Sequence, residues 1–169
     1  EVLLRASADV AAVDNDGWTP LIWATIKADA DVVRMLIAAS ADVNAQAVDS
    51  MTALLSSTTE GREDVSGFLI EAGAYVDARN EDGITPLMLA VSKEMRETVN
   101  GLLAAGAEVD AEDGEGWTAL LWSTLSGDVE IVSALIAASA DVEISDREGM
   151  TAVMSAAYRG HAEVLSLLI

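Results

Sequence analysis

Apolar positions in this chain come in pairs of short runs, and the pairs return at a fixed interval. The first run of each pair follows a threonine: Thr19-Pro20-Leu21-Ile22, Thr52-Ala53-Leu54-Leu55, Thr85-Pro86-Leu87-Met88, Thr118-Ala119-Leu120-Leu121 and Thr151-Ala152-Val153-Met154. These threonines stand 33 residues apart, a register held over five copies that chance does not produce. About ten residues after each comes a break, as at Ala28-Asp29-Ala30, Gly61-Arg62-Glu63, Gly127-Asp128-Val129 and Gly160-His161-Ala162. The second run follows the break: Val32-Val33-Arg34-Met35-Leu36-Ile37, then Val65 to Ile70, Val99 to Leu103, Ile131 to Ile136 and Val164 to Ile169.

Each run reads as a helix. A threonine hydroxyl can accept from free backbone N–H groups at a helix start, and proline at the first helical position loses an N–H that has no partner there anyway. The second run ends on Ser40-Ala41-Asp42-Val43, Gly73-Ala74-Tyr75-Val76, Gly106-Ala107-Glu108-Val109 or Ser139-Ala140-Asp141-Val142. Glycine there suits a left-handed helix end. Serine at Ser7, Ser40 and Ser139 is expected to cost up to ~1 kcal/mol each if the same backbone angles hold. One helix–turn–helix–loop unit cannot bury its own apolar face, so the copies must stack.

Taken with Asp14 to Ala45 and Asp146 to Ile169, the pattern resembles the ankyrin repeat over the whole chain. The resemblance implies an all-α solenoid of helix-turn-helix-loop repeats stacked in a curved array. The register divides the chain into residues 1–13 (the second half of a repeat), 14–46, 47–79 (irregular), 80–112, 113–145 and 146–169 (truncated). Both ends fall inside expected helices without a polar capping repeat, which reads as a piece of a longer array. The family's histidine after Thr-Pro-Leu is replaced by Ile22, Leu55, Met88, Leu121 and Met154, so packing is expected to replace a hydrogen bond. The second repeat, with Ala47 and Ser50 for the usual Asp and Gly and with Ser56-Ser57-Thr58-Thr59 inside its first helix, is expected to be the softest. The first and fourth repeats share Gly-Trp-Thr with a second tryptophan (Trp23, Trp122), which points to duplication of a larger block.

Charge changes the picture of partners. Nine basic and 29 acidic residues give a net charge of −20, which repels phosphate backbones and anionic membranes and steers basic partners inward. No run of 18 apolar residues is present to cross a bilayer. The chain has no Cys and a single His, too few parts for histidine-based triads or Cys/His zinc sites. His161 sits where the ankyrin pattern carries a structural histidine. The acidic loop Asp110-Ala111-Glu112-Asp113-Gly114-Glu115 lacks the spacing of a dedicated calcium loop. The sequence therefore reads as non-enzymatic, without cofactor or metal.

In the ankyrin family partners are gripped by loop tips and first helices. Carried over by position, the residues before each threonine are Trp18, Met51, Ile84, Trp117 and Met150, a row of bulky apolar side chains. Seven residues after the threonines, Ile26, Leu125 and Tyr158 extend the apolar area. Asp16, Asp49, Asp82, Glu115 and Glu148 form an acidic row beside it. Trp23 and Trp122, five residues beyond the first tryptophans, are expected to point between helices as core. The resulting expectation is an intracellular scaffold that holds a protein partner with a basic or mixed basic/apolar segment along a concave apolar and acidic face. Two alternatives stand beside it: a structural or linker subunit of a larger multi-protein complex, in a membrane or outside one, and chaperone-like capture of a hydrophobic client.

Overall fold

The computed structural model describes residues 8–27 and 29–169. Ser7, the helix expected over the opening residues and Ala28 of the first break lie outside the described residues. Ten helices occur among them, in pairs: α1 (Pro20–Lys27) and α2 (Ala30–Ala38), α3 (Ala53–Thr59) and α4 (Glu63–Glu71), α5 (Pro86–Ser92) and α6 (Arg96–Ala104), α7 (Ala119–Ser126) and α8 (Val129–Ala137), α9 (Ala152–Arg159) and α10 (Ala162–Leu168). The first helices stack in the order α1, α3, α5, α7, α9 and the second helices in the order α2, α4, α6, α8, α10. Each pair also packs on itself, so the array is two rows of helices joined rung by rung.

The threonines start the first helices as expected. Their hydroxyl oxygens accept the backbone N–H three residues on, at 3.2 Å for Ile22, 3.2 Å for Leu55, 3.3 Å for Met88, 3.3 Å for Leu121 and 3.4 Å for Met154. Packing does replace the family's histidine in four repeats: Ile22, Leu55, Met88 and Leu121 are at most 1% exposed. Met88 adds a weak contact, its sulfur accepting the Thr85 N–H at 3.5 Å. Met154 is 54% exposed, on α9, the last in the row of first helices among the described residues.

The second helices close in a left-handed turn in which the residue three past the last helical one donates to a carbonyl five back. The bonds run from Ala41 to Leu36, Ala74 to Leu69, Ala107 to Leu102 and Ala140 to Leu135, at 2.9 to 3.0 Å. Ser40 and Ser139 hold φ of 65° and 68° in the place that Gly73 and Gly106 fill at 83° and 84°. A side chain in that region is strained, so Ser40→Gly and Ser139→Gly are each expected to raise the unfolding free energy by up to ~1 kcal/mol. Urea unfolding checks this; unchanged midpoints would mean that the flexible unfolded glycine offsets the relief.

The second repeat is irregular in composition but densely bonded. Ser56, Ser57 and Thr58 are at most 3% exposed. The Thr25 and Ser56 hydroxyls lie 2.7 Å apart across α1 and α3, and those of Ser57 and Ser66 lie 2.8 Å apart between α3 and α4. A matching pair, Thr124 and Ser155 at 2.6 Å, joins α7 to α9 three repeats further on. These buried hydroxyls are satisfied, which removes the penalty that such a polar helix face would otherwise carry.

Candidate functional site

The candidate face is built at the loop tips, where each repeat turns into its first helix. In four repeats one carboxylate or amide oxygen organises the tip by accepting two backbone N–H groups, those two and four residues on. Asp14 binds Asp16 and Trp18 at 3.0 and 2.9 Å, Asn80 binds Asp82 and Ile84 at 3.1 and 2.9 Å, Asp113 binds Glu115 and Trp117 at 2.9 Å each, and Asp146 binds Glu148 and Met150 at 2.9 and 2.8 Å. Ala47 has no such oxygen. In that repeat the Asp49 side chain turns in to accept the Met51 N–H at 3.1 Å, which leaves Asp49 half-buried while the other acids of its row stay exposed.

This tip geometry holds the row expected from the sequence. Trp18, Met51, Ile84, Trp117 and Met150 are all half-buried, and all but Met150 rest partly against the core. Ile26 and Leu125 are half-buried near the ends of α1 and α7, and Tyr158 on α9 is 87% exposed. Asp16, Asp82, Glu115 and Glu148 are exposed.

The placement of Trp23 overturns the core expectation. It is 54% exposed, its indole N–H donating to Asp14 Oδ2 at 2.9 Å, and its ring lies 4.9 Å from that of Trp18 at a 44° tilt. The neighbours Leu21, Ile22, Ala24 and Thr25 already fill the buried arc of α1, so Trp23 falls on the outer side of the helix. Trp122 repeats the arrangement with Asp113 Oδ2 at 3.0 Å and a ring distance of 5.9 Å to Trp117, yet it stays half-buried and packs partly on the core. The core expectation thus fails for Trp23 and holds only in part for Trp122.

A cleft of about 370 Å³ opens at the first aromatic pair, lined by Asp16, Trp18, Trp23, Val48, Asp49 and Glu81. Sequence reasoning missed three of these: Trp23 was assigned to the core, and Val48 and Glu81 were not singled out. Val48, 81% exposed, had a legible signal as an apolar residue at a loop tip where the equivalent positions are Glu81, Gly114 and Arg147.

Among the described residues no group of three or more His, Cys, Asp or Glu is placed to hold a metal ion, and no helix is long and apolar enough to cross a membrane. His161 precedes α10 with its ring against Gly127, where a Cβ would come within 2.5 Å of it. That contact ties the last two helix pairs together and gives the histidine a packing role.

Two carboxyls in the array are shifted in opposite directions. Asp14 is held below its ordinary value by the N–H groups it accepts, chiefly that of Trp18 and then the Trp23 indole. Its contribution to stability is present above the unfolded value of 3.8 and is lost as pH falls through the folded one. Glu97 is raised by a hydrogen bond with Glu63 and by that neighbour's charge. Its protonated form is favoured in the fold, so its contribution is present below 4.5 and is lost as pH rises through the folded value. Glu97→Gln is therefore expected to raise the melting temperature at pH 7, with the difference from wild type shrinking toward pH 4. A melting temperature unchanged at pH 7 would show that solvent already screens the pair.

The family comparisons fit this geometry. The model for ankyrin repeats in three copies matches residues 41–113 and 87–169, and the single ankyrin-repeat model matches residues 16–48. No curated protein matches the chain. Ankyrin repeats generally mediate protein–protein interaction and are typically non-enzymatic. With the threonine-capped helix pairs, the left-handed helix ends and family matches over most of its length, this chain belongs to the ankyrin-repeat family.

Proposed function

We propose that the chain is a non-enzymatic scaffold that holds a partner protein along its loop tips and first helices. The observation that carries this reading is the row Trp18, Met51, Ile84, Trp117 and Met150, half-buried at one position in every repeat and flanked by Asp16, Asp49, Asp82, Glu115 and Glu148. A half-buried apolar side chain still has area to lose from water on binding, and tryptophan is enriched among residues that dominate interfaces. The acidic row selects a basic or mixed-charge segment and speeds its approach, as the net charge of −20 does at longer range. An intracellular setting accords with such a scaffold.

The test is capture of one defined partner by the wild type and by a folded Trp18→Ala/Trp117→Ala double variant, each at low and high salt. The reading expects a partner held by the wild type, released by salt and lost in the double variant. Equal retention by both forms at both salt levels would move the binding surface elsewhere on the array.

A further inference from the structure

The cleft beside Trp18 and Trp23 runs from the first tip past Val48 and Asp49 of the second to Glu81 of the third, and the second and third tips do not close on one another. Elsewhere a backbone bond joins neighbouring tips: Val48 N–H to the Asp16 carbonyl at 3.0 Å, Gly114 to Asp82 at 2.7 Å and Arg147 to Glu115 at 3.2 Å. Among the described residues no such bond joins Glu81 to Asp49. At the three closed junctions the earlier tip carries Gly17, Gly83 or Gly116, where a Cβ would stand only 3.2 to 3.3 Å from the next tip's nitrogen. The open junction carries Ser50, at φ 62°, with a Cβ that such an approach would crowd. Asp49 and Glu81 consequently line the cleft instead of sealing it.

The walls and rim of this cleft select for positive charge. Two indole faces, with centroids 4.9 Å apart and tilted by 44°, stand beside Asp16, Asp49 and Glu81. Among the described residues no Lys or Arg pairs with these three carboxylates. The other aromatic pair differs. Beside Trp117 the place of Val48 is taken by Arg147, whose Nη1 lies 3.9 Å from Glu115 Oε1. There the chain supplies its own cation; at Trp18 none of the described Lys or Arg side chains does.

We propose that the Trp18–Trp23 cleft receives an arginine side chain from a basic segment of the partner protein. The proposal rests on the protein-binding reading above and names the chemistry recognised at one end of that surface. A guanidinium is planar, weakly hydrated and forked, so it can lie on an exposed indole while its N–H groups reach separate carboxylates. A lysine ammonium meets the same charge but neither stacks nor forks, and binds more weakly.

The test follows the four indole N–H resonances of the full ¹⁵N-labelled chain. Capped hexapeptides of glycine alternating with arginine, lysine or glutamate are titrated in. The Trp18 and Trp23 resonances are expected to move saturably with the arginine peptide, less with lysine and not with glutamate, while Trp117 and Trp122 stay nearly still. Asp49→Asn/Glu81→Gln is expected to weaken the arginine peptide about tenfold with an unchanged circular dichroism spectrum. Ser50→Gly, which lets the tips approach, is expected to weaken it as well. Equal movement of both tryptophan pairs, no saturation, or undiminished binding by the double carboxylate variant would overturn the cleft. Partner capture that survives Trp23→Ala but not Trp18→Ala/Trp117→Ala would also overturn it and leave the wider face intact. Saturable arginine binding, with capture lost on Trp18→Ala but indifferent to Trp117→Ala, would keep the cleft and reject the wider face.

Discussion

Truncating Leu102 to alanine is expected to lower the unfolding free energy by about 2–5 kcal/mol. Leu102 is 0% exposed in α6, the second helix of the central pair, and α6 packs on α5 within its repeat and on α4 and α8 to either side. A cavity at that point removes dispersion contacts that the surrounding helices, each tied to further neighbours, cannot close up to recover. The loss also spreads. In a stacked array each unit is held mainly by those next to it, so weakening the middle lets the two halves unfold separately. Urea titration followed by far-UV circular dichroism and by tryptophan fluorescence reads both effects. The tryptophans lie only in the first and fourth repeats, whereas circular dichroism reports every helix. The midpoint is expected to fall and the two curves to separate. Asn100→Ala, an exposed change on the same helix, is expected to stay within about 0.5 kcal/mol. A loss below ~1 kcal/mol for Leu102→Ala with superimposed curves would mean that central packing does not couple the array.

Binding is expected to fall roughly a thousandfold in the Trp18→Ala/Trp117→Ala double variant. Each tryptophan at the centre of an interface contributes about 2 kcal/mol on truncation, and two sites three repeats apart share no partner, so the losses add. Both side chains rest partly on the core, so some loss of stability accompanies the loss of affinity. Titration of the partner under conditions where circular dichroism shows full folding separates the two effects. Trp18→Phe/Trp117→Phe retains most of the packing and is expected to recover stability more fully than affinity. Affinity undiminished in the alanine variant would remove the tryptophans from the interface whatever they do for the fold.

The two tryptophans of each aromatic repeat show where sequence reasoning reached its limit. Trp18 and Trp117 precede the capping threonines, and the repeat register alone placed them at the loop tips. Trp23 lies within a helix whose apolar residues were read as core without regard to how many could fit on one arc. Leu21, Ile22, Ala24 and Thr25 occupy that arc, and Asp14, nine residues upstream, holds the Trp23 indole outward at 2.9 Å. Trp122 has the same aspartate bond and stays half-buried, so its exposure depends on neighbours that local sequence does not name.

The second repeat carries the same lesson. Ala47 and Ser50 were legible as departures from the pattern and read as softness. Their consequences are specific: Asp49 turns inward to accept the Met51 N–H, and Ser50 stands at the junction where no backbone bond joins the tips among the described residues. The hydroxyl-rich helix α3 is fully bonded within the stack through Thr25 and Ser66.

The sequence by itself determined the repeat length, the helix pairs, the capping threonines, the left-handed ends and the net charge, because each follows from residues close together or from composition. Tertiary structure decided which apolar side chains remain in water and where the tips part. Those outcomes depend on residues apart in the chain: an aspartate oxygen nine residues away and the filling of one helix arc turn Trp23 outward, and the approach of adjacent repeats decides where the tips bond.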